Sequence, residues 1–148
     1  KLGSRVLLIG DGDVSAGIST SWLNSGIDML MGTGGAPEGV ITAAALKCLG
    51  GDFQGRLKFR NEDEKRRAEK MGLTDFDRAY KRDELAKGNV MFCATGVTDG
   101  AMLNGVRYLA DSKVITQSMV MRSASGTIRK MESHHDLSLK PTVFGGGI

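Results

Sequence analysis

Two short apolar runs each end in a glycine-rich, acid-bearing loop that leads straight into a helical pattern, and this repeat narrows the folds open to the chain. Arg5–Ile9 (RVLLI) is closed by Gly10, and Ile27–Met31 (IDMLM) by Gly32. Short apolar runs bounded by glycine read as buried strands. After the first, Val14, Ile18 and Trp22 recur at i, i+4 and i+8, one face of a helix. After the second, Pro37 opens a helix that runs to Leu49 and stops at Gly50-Gly51. Lys47 is the only charge in that helix beyond its first turn, so the helix is expected to be sandwiched between layers.

The alternation continues. Phe53–Phe59 reads as a third strand and Asn61–Met71 as a charged helix ended by Gly72. Leu73–Gly88 reads as a loop with a helical turn or two, and Asn89–Thr95 as a fourth strand. Ile115–Arg122 and Thr127–Ser133 alternate around Ser123–Gly126, which predicts an antiparallel hairpin. The tail from Pro141 to Ile148 is expected to be loose. Strand–helix alternation with buried-looking strands predicts one α/β domain over residues 1–148, a layered sandwich with a mostly parallel sheet.

Composition excludes several classes. Twenty basic residues face seventeen acidic ones, a net charge of only +3, and the signs are mixed. In the densest stretch Glu62 precedes Arg66, and Asp63 precedes Arg67, by four residues, the pattern of a solvated helix. With aromatics at 5%, nucleic acid is not an expected partner. Cys48 and Cys93 lie in apolar segments and read as core residues, not a disulfide framework. The eight methionines read as core filler. No apolar run approaches the ~18 residues that cross a bilayer. No secretory signal pattern is present, so a cytoplasmic location is expected. His134 and His135, adjacent on a strand, point to opposite faces and are not expected to share a metal.

Chemistry is expected at the two loops, because ligands of open α/β sheets gather at the carboxyl ends of strands. In Gly10-Asp11-Gly12-Asp13, two carboxylates two residues apart can accept sugar hydroxyls, bind a divalent metal, or act as nucleophile and acid. Asp13 can equally serve as the cap of the following helix. In Gly32-Thr-Gly-Gly-Ala-Pro-Glu-Gly39, exposed backbone N–H groups at a helix start favour an anion such as phosphate. Glu38 falls in the first helical turn, where it can complement the helix dipole or share Mg²⁺ or Mn²⁺ with a phosphate. Neither loop is a dinucleotide fingerprint or a P-loop.

Those two loops, with Ala43–Leu46, Leu49–Gly51, Ala94–Thr98 and Arg122–Arg129, resemble the class II (GlpX-type) fructose-1,6-bisphosphatases over nearly the whole chain. The resemblance implies metal-assisted hydrolysis of the 1-phosphate of fructose 1,6-bisphosphate, with sedoheptulose 1,7-bisphosphate a further substrate of cyanobacterial members. It implies the C-terminal α/β half of the lithium-sensitive sugar phosphatase fold. It places Asp11, Gly12 and Asp13 in the sugar-binding loop, Gly35 at a backbone contact with substrate, and Glu38 among the ligands of Mn²⁺ or Mg²⁺. Members of that family are about twice this length. The metal-binding N-terminal half, with the group that activates water, lies outside these 148 residues, and the chain begins at Lys1 without an initiator Met. The chain alone is therefore expected to hold no catalytic residue and to lack activity. Its expected partners are a sugar bisphosphate, the missing half of the same enzyme, and further copies in a homo-oligomer.

Two alternatives compete. In a haloacid-dehalogenase-type phosphatase, Asp11 would be nucleophile and Asp13 general acid, with Thr95 as a second motif. That reading needs later acidic ligands, and Asp99, Asp111, Glu132 and Asp136 do not form the pattern. A non-catalytic module would use the same anion corner to bind a sugar phosphate without turnover.

Overall fold

The computed structural model describes residues 3–140, so the tail expected to be loose lies outside the described residues. Helix α1 spans Asp13–Ser19 and α2 spans Ala36–Leu49. Then come β1 (Gln54–Arg56), α3 (Glu62–Lys70), β2 (Ala79–Lys81), α4 (Arg82–Leu85), β3 (Met91–Thr95), β4 (Arg107–Tyr108), β5 (Lys113–Arg122) and β6 (Thr127–Asp136). A single 3₁₀ turn follows at Leu137–Leu139.

The α/β class holds, but every strand pair among the described residues is antiparallel. This corrects the mostly parallel sandwich, and the lithium-sensitive phosphatase arrangement gains no support from the observed pairing. Parallel pairing needs a crossover between neighbouring strands. The largest pair, β5 and β6, is the expected hairpin with Ser123–Gly126 at its turn, Gly126 taking the left-handed φ of 58°, and β3 and β4 join β5 without any such crossover. In the larger sheet β5 is central. β6 pairs along its whole length, while β3 (at Ser118–Arg122) and β4 (at Val114–Ile115) share the other edge.

The first two predicted strands are a second correction. Residues 3–10 and 26–35 form no strand, and apart from the half-buried Ile27 their large apolar side chains are exposed, Leu8 at 89% and Met31 at 85%. An apolar run becomes a buried strand only where neighbours pair its backbone and a layer covers it. No described strand lies beside these segments.

The rest follows the pattern more closely. Phe53–Phe59 yields only the three-residue β1, because its partner β2 is equally short. That partner lies in the stretch read as a loop. Edge-to-face packing of Phe59 on Phe76, 5.2 Å between centroids, steadies this lobe. Asn61 caps α3 by accepting the Glu64 N–H at 2.9 Å. Its ion pair runs from Asp63 to Arg66, one residue closer than the expected four.

Helix α2 packs on the sheet face that carries Phe92, Met119 and Met121. Ile18, Ala45, Cys48 and Leu103 complete the buried cluster, with Val14, Trp22 and Leu49 at its margin. Burial pushes the Cys48 thiol above its ordinary pKa, consistent with a core role, whereas Cys93 is exposed, contrary to the core reading. Lys47, on the far side of α2, donates to the Ala86 carbonyl at 2.8 Å and lies 3.1 Å from the Asp83 carboxylate. The C-terminal part of α2 is thus enclosed, as its composition predicts. Val40 and Ile41 in its first half stay partly open, at 42% and 47%.

Candidate functional site

The two acid-bearing loops converge through one helix contact. Gly17 in α1 lies against Thr42 in α2 so closely that a methyl group there would overlap the Thr42 Cγ2. Thr42 is buried, and its hydroxyl donates to the Glu38 carbonyl at 2.8 Å. One threonine therefore fixes the spacing of the helices and ties down the first turn of α2. A second close contact, Gly51 against Ser21 and Leu46, holds the other end of the pair. Neither Gly17 nor Thr42 stands out in the sequence. A glycine on an otherwise apolar helix face is a faint sign of close approach.

At the start of α1, Gly12 takes φ 76° and ψ 33°, the left-handed region where glycine costs least. Its carbonyl accepts the Ala16 N–H at 2.9 Å and the Ser15 hydroxyl at 2.8 Å. Gly12, not Asp13, is therefore the cap residue, and the capping alternative for Asp13 falls. Asp13 is the first helical residue and makes no capping bond. Its carboxylate instead lies against Gly34, where any Cβ would overlap it.

At the start of α2, Gly35 is the extended cap residue, with φ −67° and ψ 143°. The helix begins at Ala36, one residue before Pro37. The Gly35 carbonyl accepts the Gly39 N–H at 3.0 Å. The Glu38 carboxylate folds back over Gly35, so that a Cβ there would meet it. Asp13, Gly34, Gly35 and Glu38 thus occupy one corner at the N-termini of α1 and α2. Asp11 sits two residues upstream of Asp13, and Asp11, Gly12, Asp13, Gly35 and Glu38 are all exposed.

The corner is an open surface of glycine backbone rimmed by carboxylates. Glycine lets a ligand approach the main chain, and the start of α2 carries the positive end of its dipole. Asp11 and Asp13 can accept hydroxyl protons. Among the described residues no group of three or more His, Cys, Asp or Glu could hold a metal ion. Glu38 is one carboxylate, too few to hold a hard divalent cation by itself.

The other singled-out residues have structural employment. Asp99 accepts the Gly105 N–H at 2.8 Å and closes the loop after β3. There Gly96 and Gly105 lie directly on backbone. The Thr95 hydroxyl shares a 2.8 Å hydrogen bond with Ser118. Glu132 pairs with Gln117, His134 and Arg107, and Asp136 with Lys113 and Ser138. Three of the four acids named for a haloacid-dehalogenase site, Asp99, Glu132 and Asp136, are therefore engaged along the sheet and its loops. His134 turns to Glu132 while His135 shares a 2.9 Å bond with Thr116 across the other face, so the two do not converge.

Comparison with known proteins gives the family. The family described as bacterial fructose-1,6-bisphosphatase, glpX-encoded, matches residues 1–135. Three cyanobacterial proteins named D-fructose 1,6-bisphosphatase class 2/sedoheptulose 1,7-bisphosphatase are similar to the chain. They come from Synechococcus sp. (strain JA-3-3Ab), Trichodesmium erythraeum and Synechococcus elongatus, at 42%, 44% and 45% identity over 146 residues. Each match covers 90% of this chain and 42% of the relative. The chain belongs to the bacterial glpX-encoded fructose-1,6-bisphosphatase family. It spans less than half the length of these relatives. No described helix is long and apolar enough to cross a membrane.

Proposed function

We propose that this chain provides the sugar-holding corner and one metal ligand of a phosphatase that hydrolyses the 1-phosphate of fructose 1,6-bisphosphate. The observation that carries this reading is the convergence of Asp13 with Gly34, and of Glu38 with Gly35, at one exposed corner. Asp11 and Asp13 orient the sugar by accepting its hydroxyls. Gly12 keeps the loop turned, and Gly35 brings a bare backbone up to the substrate. Glu38 contributes one carboxylate toward Mn²⁺ or Mg²⁺, whose role when bound is Lewis-acid stabilisation of the phosphoryl charge.

The described residues do not form a complete cation site, so no step of hydrolysis is assigned to them. In this reading the other ligands and the water-activating group come from polypeptide beyond these 148 residues. Two observations support that. The relatives are more than twice as long as the matched segment. The apolar segments that lead into both loops, around Leu8 and Met31, are uncovered. The names of the relatives admit a seven-carbon bisphosphate as a second substrate. The expected setting is the cytoplasm, in a homo-oligomer.

The test joins the chain to the remaining portion of the Synechococcus elongatus relative. The joined protein should release phosphate from fructose 1,6-bisphosphate with Mn²⁺ or Mg²⁺ present, while the 148-residue chain alone should not. Robust turnover by the chain alone would defeat the division of labour. An unchanged metal requirement in the joined Glu38→Ala variant would remove Glu38 from the metal site. The exposed corner, with no group of three metal-holding acids among the described residues, also favours a second reading, binding without turnover by the isolated chain. Calorimetry with fructose 1,6-bisphosphate separates the two: heat of binding without phosphate release is the module's signature.

A further inference from the structure

We propose that Ser15 is a positioning residue for the sugar site: its hydroxyl holds the Gly12 peptide and so sets the angle between Asp11 and Asp13. The inference rests on the proposed reading of those two carboxylates as acceptors of the sugar's hydroxyls. It adds a residue that touches neither the sugar nor the metal.

Gly12 is the joint between the two carboxylates, and glycine restrains its own dihedrals least. Its carbonyl has two lone pairs. The Ala16 N–H takes one at 2.9 Å, as it would at the start of any helix. The Ser15 hydroxyl takes the other at 2.8 Å. The same hydroxyl oxygen lies 3.1 Å from where a Cβ on Gly12 would stand, so Ser15 also closes the space beside that backbone. A carbonyl can only accept, so the Ser15 proton is committed to Gly12. Rotation of the Gly12 peptide, which would swing Asp13 away from Gly34, must break both bonds.

Ser15 is itself held from below. Its carbonyl accepts the hydroxyl of Ser19, a buried residue, at 2.9 Å. The Ser19 carbonyl accepts the Ser25 hydroxyl at 2.5 Å, and the Ser25 oxygen accepts the Ile27 N–H at 3.1 Å. A run of hydroxyl-to-carbonyl bonds therefore links the segment that leads into the second loop with the turn of the first. Helix α1 needs such support. It has seven residues, well short of the ~12 at which a helix begins to hold itself. Only Ala16 among them is a strong helix former. Serine is a poorer choice than alanine for the helix alone, so the hydroxyl at position 15 serves the turn rather than the helix.

That contrast gives the test its sign. In the joined enzyme, Ser15→Ala should raise the KM for fructose 1,6-bisphosphate about three- to fivefold, the scale of one ordinary hydrogen bond. Its kcat should stay within about twofold, and its urea midpoint should be unchanged or higher, because alanine favours the helix. Ser15→Thr should keep the KM, since a threonine hydroxyl can make the same bond. In an Asp13→Ala background, Ser15→Ala should add nothing. In the 148-residue chain itself, ¹⁵N relaxation of Ser15→Ala should show the Gly12 amide falling below the ~0.85 order parameter of rigid backbone. An unchanged KM in Ser15→Ala where Asp13→Ala raises it would overturn the proposal and leave the sugar reading standing. An unchanged KM in both would overturn the two together. Full additivity with Asp13→Ala, a urea midpoint that falls as the KM rises, or a Gly12 amide equally ordered in both chains would each make Ser15 an ordinary helix residue and overturn the proposal.

Discussion

Gly34 cannot carry a side chain without moving Asp13, and Gly35 cannot without moving Glu38. Two glycines thus set where two carboxylates stand. In the joined enzyme, Gly34→Ala should raise the KM for the bisphosphate about tenfold, with a smaller effect on kcat. Steady-state kinetics checks this, and an unchanged KM would detach Asp13 from sugar binding. Asp11→Ala and Asp13→Ala should act in the same sense. Glu38→Ala should weaken the metal by more than the ~10–100-fold that losing an outer-shell partner costs, read by Mn²⁺ titration. Gly12 differs from these, because its role is conformational. At φ 76° any other residue would strain the turn into α1.

At the scale of elements, the site depends on the fit of α1 against α2. Gly17→Ala places a methyl group on Thr42 Cγ2 and should cost about 1–3 kcal/mol of stability by overpacking. Adding Thr42→Ser removes that methyl, keeps the hydroxyl for the Glu38 carbonyl, and should recover most of the loss in urea unfolding. Ala45, fully buried among the core residues, should resist enlargement for the same reason. Ala44, half-buried on the same helix, should resist it less. In the β5–β6 hairpin, the Lys113 ammonium, with Ser138, holds the Asp136 carboxyl down at about 2. Its folded pKa lies below the ordinary ~3.9, so its stabilising effect is complete above that value and fades as pH falls toward 2. Asp136→Asn should therefore lower the melting temperature at pH 7 and leave it nearly unchanged near pH 2. The pair is exposed, so the effect should be small.

At the scale of the whole molecule, protection is divided. The β5–β6 hairpin and α2 form the packed unit, while the segments around Leu8 and Met31 lie open. Hydrogen exchange of the isolated chain should show slow amides in β5 and α2 and fast ones at residues 6–9 and 29–31. In the joined protein those two segments should become protected. If they stay fast there, the proposed cover from additional polypeptide is wrong.

The sequence by itself determined the local features. The glycine stops of α2 and α3, the Asn61-led charged helix, the hairpin turn and the acid-bearing loops each depend on a few neighbouring residues, and each appears within a residue or three of its expected bounds. It also carried the family, because the loop motifs are contiguous. Whether Val6–Ile9 becomes a strand depends on a partner strand, which local pattern cannot specify. The tertiary structure alone decided that β3 and β4 join β5 antiparallel, that β2 and β4 exist, and that Asp13 meets Gly34. Those outcomes rest on contacts between residues far apart in the chain. The Gly17–Thr42 contact is the plainest case: two unremarkable residues, 25 positions apart, fix the distance between the loops that carry the chemistry.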